Sequence, residues 1–221
     1  SQYFGKKEKE LDLALIGKGV TFDTGGISIK GSTNMHFMKC DMAGGAAVLG
    51  AIELAARLKL PINLAVIVPA AENSVDANSV LPGEVIDTYS GKTVEIIDTD
   101  AEGRLILADA LSWTVRNLKP KTIVDMATLT GSSVRALGYE AAALYSSSQE
   151  LSNDLFKAGL ESGDKCWPMP LWSDYDSYIQ SDVADLANFP SKPIAGSRAS
   201  ANVLEAFNDR PPRWAPPNRP G

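Results

Sequence analysis

Three short apolar runs constrain this chain most. Residues 11–17 (LDLALIG), 62–68 (INLAVIV) and 122–126 (TIVDM) are too brief for core helices and read as buried strands. Between the first two lie residues 42–58, where Ala47, Leu49, Ile52, Leu54, Ala55 and Leu58 read as a tightly packed helix, with Pro61 just beyond its end. Between the second and third lie residues 102–117, where Leu107, Leu111 and Val115 recur four apart on one helical face. Strands that are apolar on both sides need cover on both sides. The expected fold is therefore α/β: a mixed, largely parallel sheet with helices on both faces.

The connections carry their own signals. Gly17, Gly19, Gly25 and Gly26 punctuate a loop-rich stretch in which residues 27–29 are expected as a short strand. Tyr89-Ser90-Gly91-Lys92 separates two β-rich runs and predicts a hairpin or tight connection, with residues 93–97 as the second run. Further on, residues 130–137 predict a helix closed by Gly138, residues 141–145 a strand and residues 150–161 a helix. Pro211, Pro212, Pro216, Pro217 and Pro220 crowd the last eleven residues. They predict an irregular tail over residues 211–221, beyond one domain spanning residues 1–210.

Composition excludes several classes of function. With 221 residues, 44% hydrophobic and 22% charged, the chain can bury a sizeable core and is not disordered. Acidic residues outnumber basic ones, 27 to 21, and no Lys/Arg-rich run exists, so no nucleic-acid partner is indicated. No apolar stretch is long enough for a membrane span. The polar first ten residues do not read as a signal peptide. Cys40 and Cys166 fit no metal or disulfide spacing, which favours a reducing, cytoplasmic setting. His36 is the only histidine, so any metal chemistry must rest mainly on oxygen ligands.

Such ligands cluster where an α/β sheet gathers them, at the carboxyl ends of its strands. Lys18 and Asp23 follow the first strand, Asp41 opens the long helix, and Asp100 and Glu102 precede the second helix. Taken singly, each has an ordinary structural reading: Asp41 as an N-cap, Glu102 as a first-turn helix residue, Asp100 as a turn residue, and Asp23 and both Lys18 and Lys30 as solvated loop groups. Taken together, the four carboxylates would repel one another unless neutralised, and two divalent cations would do so.

As whole strings these segments become specific. Residues 17–30 (GKGVTFDTGGISIK), 38–42 (MKCDM) and 98–105 (DTDAEGRL) closely resemble the M17 leucyl aminopeptidase family, the cytosolic leucine aminopeptidases. The resemblance runs from about Leu11 to Ala215 and covers that family's phosphorylase/hydrolase-like catalytic domain. It implies a two-metal aminopeptidase acting on peptides with leucine-like N-terminal residues, holding Zn²⁺ or Mn²⁺, with Mg²⁺ or Co²⁺ as further candidates. It implies that Asp23 and Glu102 bridge the metals, that Lys18 (as a neutral amine) and Asp41 complete the tighter site, and that Asp100 completes the more exchangeable one. It implies that Lys30 stabilises the oxyanion, and that Arg104 holds a bicarbonate acting as general base towards the attacking water. Met38 and Thr128 match positions near the pocket for the N-terminal side chain.

Two departures stand out. Asp98 replaces a common asparagine and is expected to add negative charge near the metals, and His36 replaces a common acidic residue. Neither removes a ligand. The resemblance also implies a homo-hexamer for the intact protein, with this chain expected to be truncated at both ends. The competing expectations are a two-metal phosphoesterase and an inactive fragment with a structural or binding role.

Overall fold

Side-chain alternation along the strands decides the architecture of the computed structural model, which describes residues 1–192, 196–208, 213–215 and 217–219. In chain order the strands are β1 (Gln2–Phe4), β2 (Leu13–Gly17), β3 (Gly19–Asp23), β4 (Asn63–Ile67), β5 (Ala70–Asn73), β6 (Val85–Asp87) and β7 (Thr93–Glu95). They continue as β8 (Thr122–Thr128), β9 (Ala142–Leu144), β10 (Cys166–Pro168), β11 (Leu186–Ala187), β12 (Arg213–Ala215) and β13 (Pro217–Arg219). The α-helices are α1 (Ala43–Arg57), α2 (Gly103–Asn117), α3 (Gly131–Leu137), α4 (Gln149–Ser162) and α5 (Gly196–Ala206).

Ala14 and Ile16 of β2, Ala65 of β4, and Ile123 and Ala127 of β8 face one way, into a core with Leu107 and Leu111 of α2 and Val203 and Leu204 of α5. Their neighbours Leu15, Leu64, Val66 and Val124 face the other way, onto Val48 and Ala55 of α1. A period of two thus puts apolar side chains on both faces. The main sheet has the order β1-β4-β2-β8-β13-β9-β10, with β12 also beside β8. It is mixed: β4, β2, β8 and β12 are mutually parallel, while β1 on β4 and β13 on β9 are antiparallel. The expected fold class is met.

Local expectations fared unevenly. β6 and β7 form the expected antiparallel pair around the turn at Gly91. Residues 27–29 are not a strand, because their neighbourhood bonds to loops instead: Ser28 N donates to Thr99 Oγ1 and Lys30 N to Thr24 O. The irregular tail is also corrected. Arg213–Ala215 and Pro217–Arg219 pair with β8 in the middle of the sheet. The stretch 213–215 is free of proline, and Pro217 stands first in its strand, where a missing N–H is tolerated. Residues 209–212, 216, 220 and 221 lie outside the described residues.

Trp214 anchors this segment. It is fully buried and its Nε1 donates to Asp125 Oδ2 at 2.7 Å. Burial pushes the Asp125 carboxyl up to about 7, against the lowering effect of the Trp214 bond and its own backbone bond.

At the carboxyl end of the sheet, α1 starts almost in contact with the strands. A Cβ on Gly44 would stand 2.1 Å from Met126 O, and one on Gly17 would stand 2.5 Å from Gly44 O. Only glycine lets the helix approach this closely, and Gly45 N then donates to Lys18 O at 2.8 Å.

Two outcomes test this packing. Trp214→Ala is expected to cost about 3–5 kcal/mol in urea unfolding; a loss below about 1 kcal/mol would place residues 213–215 outside the core. Asp125 has a raised native pKa, so the folded state binds the extra proton and stability falls as pH rises from about 4 to about 7. Asp125→Asn should make that fall shallower; a variant with the parent's slope over this window would contradict the assignment.

Candidate metal centre

Each predicted ligand arrives on a different element. Lys18 follows β2, with its backbone N bonded to Met126 O at 2.9 Å, so its side chain starts from the sheet's carboxyl edge. Asp23 ends β3. Asp41 follows a short 3₁₀ helix, Met35–Cys40, and Asp100 lies within another, Thr99–Ala101. Glu102 occupies the position just before α2.

Their side chains converge. Lys18 Nζ lies 2.6 Å from Asp41 Oδ2 and 2.8 Å from Glu102 Oε1, and donates to Thr128 O at 3.1 Å. Lys30 Nζ lies 2.8 Å from Asp23 Oδ2 and pairs also with Asp100. Carboxylate oxygens of Asp23, Asp100 and Glu102 lie within 4.8 Å of one another. Asp41 stands outside that trio and joins it through Lys18. Two ammonium groups thus stand among four carboxylates.

The N-cap reading of Asp41 does not hold. Helix α1 begins two residues later, and Asp41 Oδ1 accepts from Thr128 Oγ1 at 2.6 Å while Oδ2 faces Lys18. The buried ion pair outweighs a capping bond here. Gly103 makes room for that arrangement: a Cβ there would come within 2.8 Å of Lys18 Nζ. Asp98 does not join the carboxylates. Its Oδ1 accepts from Asp100 N at 2.8 Å and caps the turn that presents Asp100. His36 is exposed beside Phe37.

The titration behaviour follows from the same crowding. Burial opposes the Lys18 charge, but Glu102 and Asp41 outweigh it and raise its pKa. The carboxylates alone therefore hold Lys18 as an ammonium. Lys30 is raised in the same manner by Asp100 and Asp23. Burial pushes Asp100 up to about 6 despite Lys30, and it raises Asp41 despite Lys18.

All of the sequence-predicted site residues except Glu102 line one cavity of about 1010 Å³. Met38 is half-buried there. Arg104, 3% exposed, donates from Nη1 to Asn188 O at 2.8 Å and lies 5.9 Å over the Phe189 ring, with Nε left without a partner. Burial lowers its pKa to about 10.

Sequence reading missed three supports. Asn73 Nδ2 donates to Asp23 Oδ1 at 2.9 Å and to Thr99 O at 3.0 Å, and lies 3.4 Å from Glu102 Oε2. Thr99 Oγ1 donates to Gly25 O at 2.6 Å. Asn188 Oδ1 accepts from Ile97 N at 2.8 Å. No local signal marks these residues, because their partners lie far away in sequence.

The donor set fits divalent cations. Asp41 Oδ2 and Glu102 Oε1 are buried and lack any hydrogen-bond partner, facing only the Lys18 ammonium at ion-pair distance. Carboxylates gathered at the carboxyl ends of a mixed α/β sheet, beside a large cavity, are an arrangement that metal-dependent hydrolases use. The chain belongs to the cytosol aminopeptidase family, whose catalytic-domain profile matches residues 1–216. Metal dependence is general in that family.

Relatives agree with this assignment. The probable cytosol aminopeptidase of Chloroherpeton thalassium is 54% identical over 92% of this chain, and that of Chlorobium luteolum is 51% identical over 96%. The crystal structure of the cytosol aminopeptidase from Coxiella burnetii superposes with a TM-score of 0.92 at 38% identity, covering 99% of this chain. The leucine aminopeptidase of Caenorhabditis elegans gives 0.93 at 36%, also over 99%. The chain spans 40–42% of the two curated relatives and 46–47% of the two solved chains.

Lys18→Met in metal-free protein strands two carboxylates in a buried setting. It is expected to cost about 3–5 kcal/mol in chemical unfolding under chelation, with added Mn²⁺ recovering part of the loss. A variant as stable as the parent without metal would show that the ion pair holds nothing together.

Proposed function

We propose that this chain is the catalytic part of a two-metal aminopeptidase that removes leucine-like N-terminal residues from peptides. The observation carrying this reading is the convergence of Lys18, Asp23, Asp41, Asp100 and Glu102, all but Glu102 lining one cavity of about 1010 Å³. These five residues would hold two divalent cations, Zn²⁺ or Mn²⁺ first, with Mg²⁺ or Co²⁺ as alternatives. When bound, such a pair polarises the scissile carbonyl and lowers the pKa of the attacking water.

Everything else falls to the chain's own groups. With cations in place, nearby positive charge would lower the Lys18 pKa and favour its neutral amine as a ligand. Lys30 is less enclosed, and its carboxylate partners would be taken up by the same cations. Its ammonium would then be available to the developing oxyanion. Arg104, with Nε unpartnered at the cavity wall, is suited to hold a small anion, and bicarbonate is the candidate for the general base. Asn73 positions Asp23 and Glu102 together. Met38 and Thr128 border the space for the N-terminal side chain, although the Thr128 hydroxyl is committed to Asp41.

An internal peptide bond offers no free α-amino group to this acidic end, which is the source of the exopeptidase reading. Assembly as a homo-hexamer is proposed from the family resemblance. Among the described residues no helix is long and apolar enough to cross a membrane.

The test is hydrolysis of leucine p-nitroanilide with Mn²⁺ and after chelation. Chelator-sensitive turnover is expected, and turnover that ignores the chelator would contradict a metal mechanism. Asp23→Ala should lose bound metal together with activity. Lys30→Ala should lower kcat by about 10²–10³ with metal content intact; loss of metal in that variant would remove its oxyanion role.

A further inference from the structure

The cavity that gathers the carboxylates carries a second, opposite pattern of charge. Among the described residues lining it, the acids are Asp23, Asp41 and Asp100, and all three are proposed metal ligands. The wall also carries Arg135 on α3, Lys192, and Arg198 on α5. Once the acids are neutralised by cations, the charge remaining on the lining is positive.

Of these three groups only Arg198 has an ion pair with a described residue, at the limit of ion-pair distance. Arg198 is 4% exposed and held in place: Nη2 donates to Trp172 O at 2.7 Å and the guanidinium lies 5.2 Å over the Tyr175 ring. Its Nε and Nη1 have no hydrogen-bond partner, and the pair with Glu205 is stretched to 4.0 Å. Arg135 touches Ser132 Oγ at 3.3 Å, and Lys192 rests 4.9 Å over the Tyr178 ring. Both are exposed, and neither forms an ion pair with a described residue. A cleft lined by one sign of charge concentrates ligands of the other sign. Arginine is the side chain best matched to a carboxylate.

We propose that this basic wall receives a carboxylate on the leaving-side part of the substrate. It would be supplied by the α-carboxylate of a short peptide or by an acidic residue in the second position. The inference rests on the aminopeptidase reading, since the carboxylate site must take the substrate's amine for its carboxylate to be left to the basic groups of the same cavity. An extended peptide advances by about 3.3–3.6 Å per residue, so a cavity of about 1010 Å³ has room for both ends of a short one.

The experiment measures kcat/KM of the Mn²⁺-loaded protein at low salt for two matched pairs. Leu-Gly against Leu-Gly-amide reads an α-carboxylate; Leu-Asp-amide against Leu-Asn-amide reads a side-chain carboxylate. A preference of about tenfold for the charged member is expected in at least one pair, the worth of one charge-assisted hydrogen bond, and the pair that shows it names the source. Arg135→Gln, Lys192→Gln and Arg198→Gln should each pull that ratio towards one. General damage cancels, because both members of a pair read the same folded fraction. Arg135 and Lys192, being exposed, keep the test open if Arg198→Gln fails to fold. Leucine p-nitroanilide turnover with ratios of one, or ratios unmoved by all three variants, overturns the basic wall alone. Absence of turnover on every substrate overturns the aminopeptidase reading and this inference with it.

Discussion

Mutual repulsion among four carboxylates is the constraint on which the rest of the site depends. Asp23, Asp41 and the pair Asp100 and Glu102 come from three separate stretches of chain and meet where the sheet's parallel strands end. Like charges brought out of water cannot remain uncompensated. The chain places Lys18 and Lys30 between them, at 2.6–2.8 Å from Asp41, Glu102 and Asp23. The two lysines differ in enclosure: the Lys18 side chain is 4% exposed and that of Lys30 is 23%. Lys18 is enclosed within the site, whereas Lys30 is partly open to solvent.

The backbone must come unusually close for those charges to meet. Gly44 lies against Met126 O, and Gly103 lies against the Lys18 side chain. Both glycines work through the space that a missing Cβ leaves. The sheet supplies the rigid edge. Lys18 bonds to β8 through its backbone and to the Thr128 carbonyl through its side chain, so β2, α1 and β8 share one junction. On the far side of β8, Trp214 and Asp125 tie in a strand from much later in the sequence. The site and the core are therefore coupled through β8.

Much of this was legible in residue order. Continuous apolar runs at residues 11–17, 62–68 and 122–126, with helices read between them, predict covered, largely parallel strands, which is what forms. The acidic clusters were legible as groups near strand ends, but they became specific only as whole strings that resemble a family, and the structure brings their side chains together. The supports were not legible. Asn73 and Asn188 act across 26 to 91 residues of sequence, and nothing adjacent to them signals it. Asp41 read as an N-cap because local rules favour it, and a buried ion pair overrode them. Residues 213–215 and 217–219 read as tail because proline density dominated, although the proline-free stretch around Trp214 was enough to build a strand.

On the function proposed above, these carboxylates would hold two divalent cations, with Lys18 and Lys30 compensating them when metal is absent. Equilibrium dialysis of the chelated, folded protein against Mn²⁺ tests it most directly. The account predicts two ions per chain, with at least one lost in Asp23→Ala. Failure of the parent to bind any ion, or binding that survives Asp23→Ala unchanged, would contradict it.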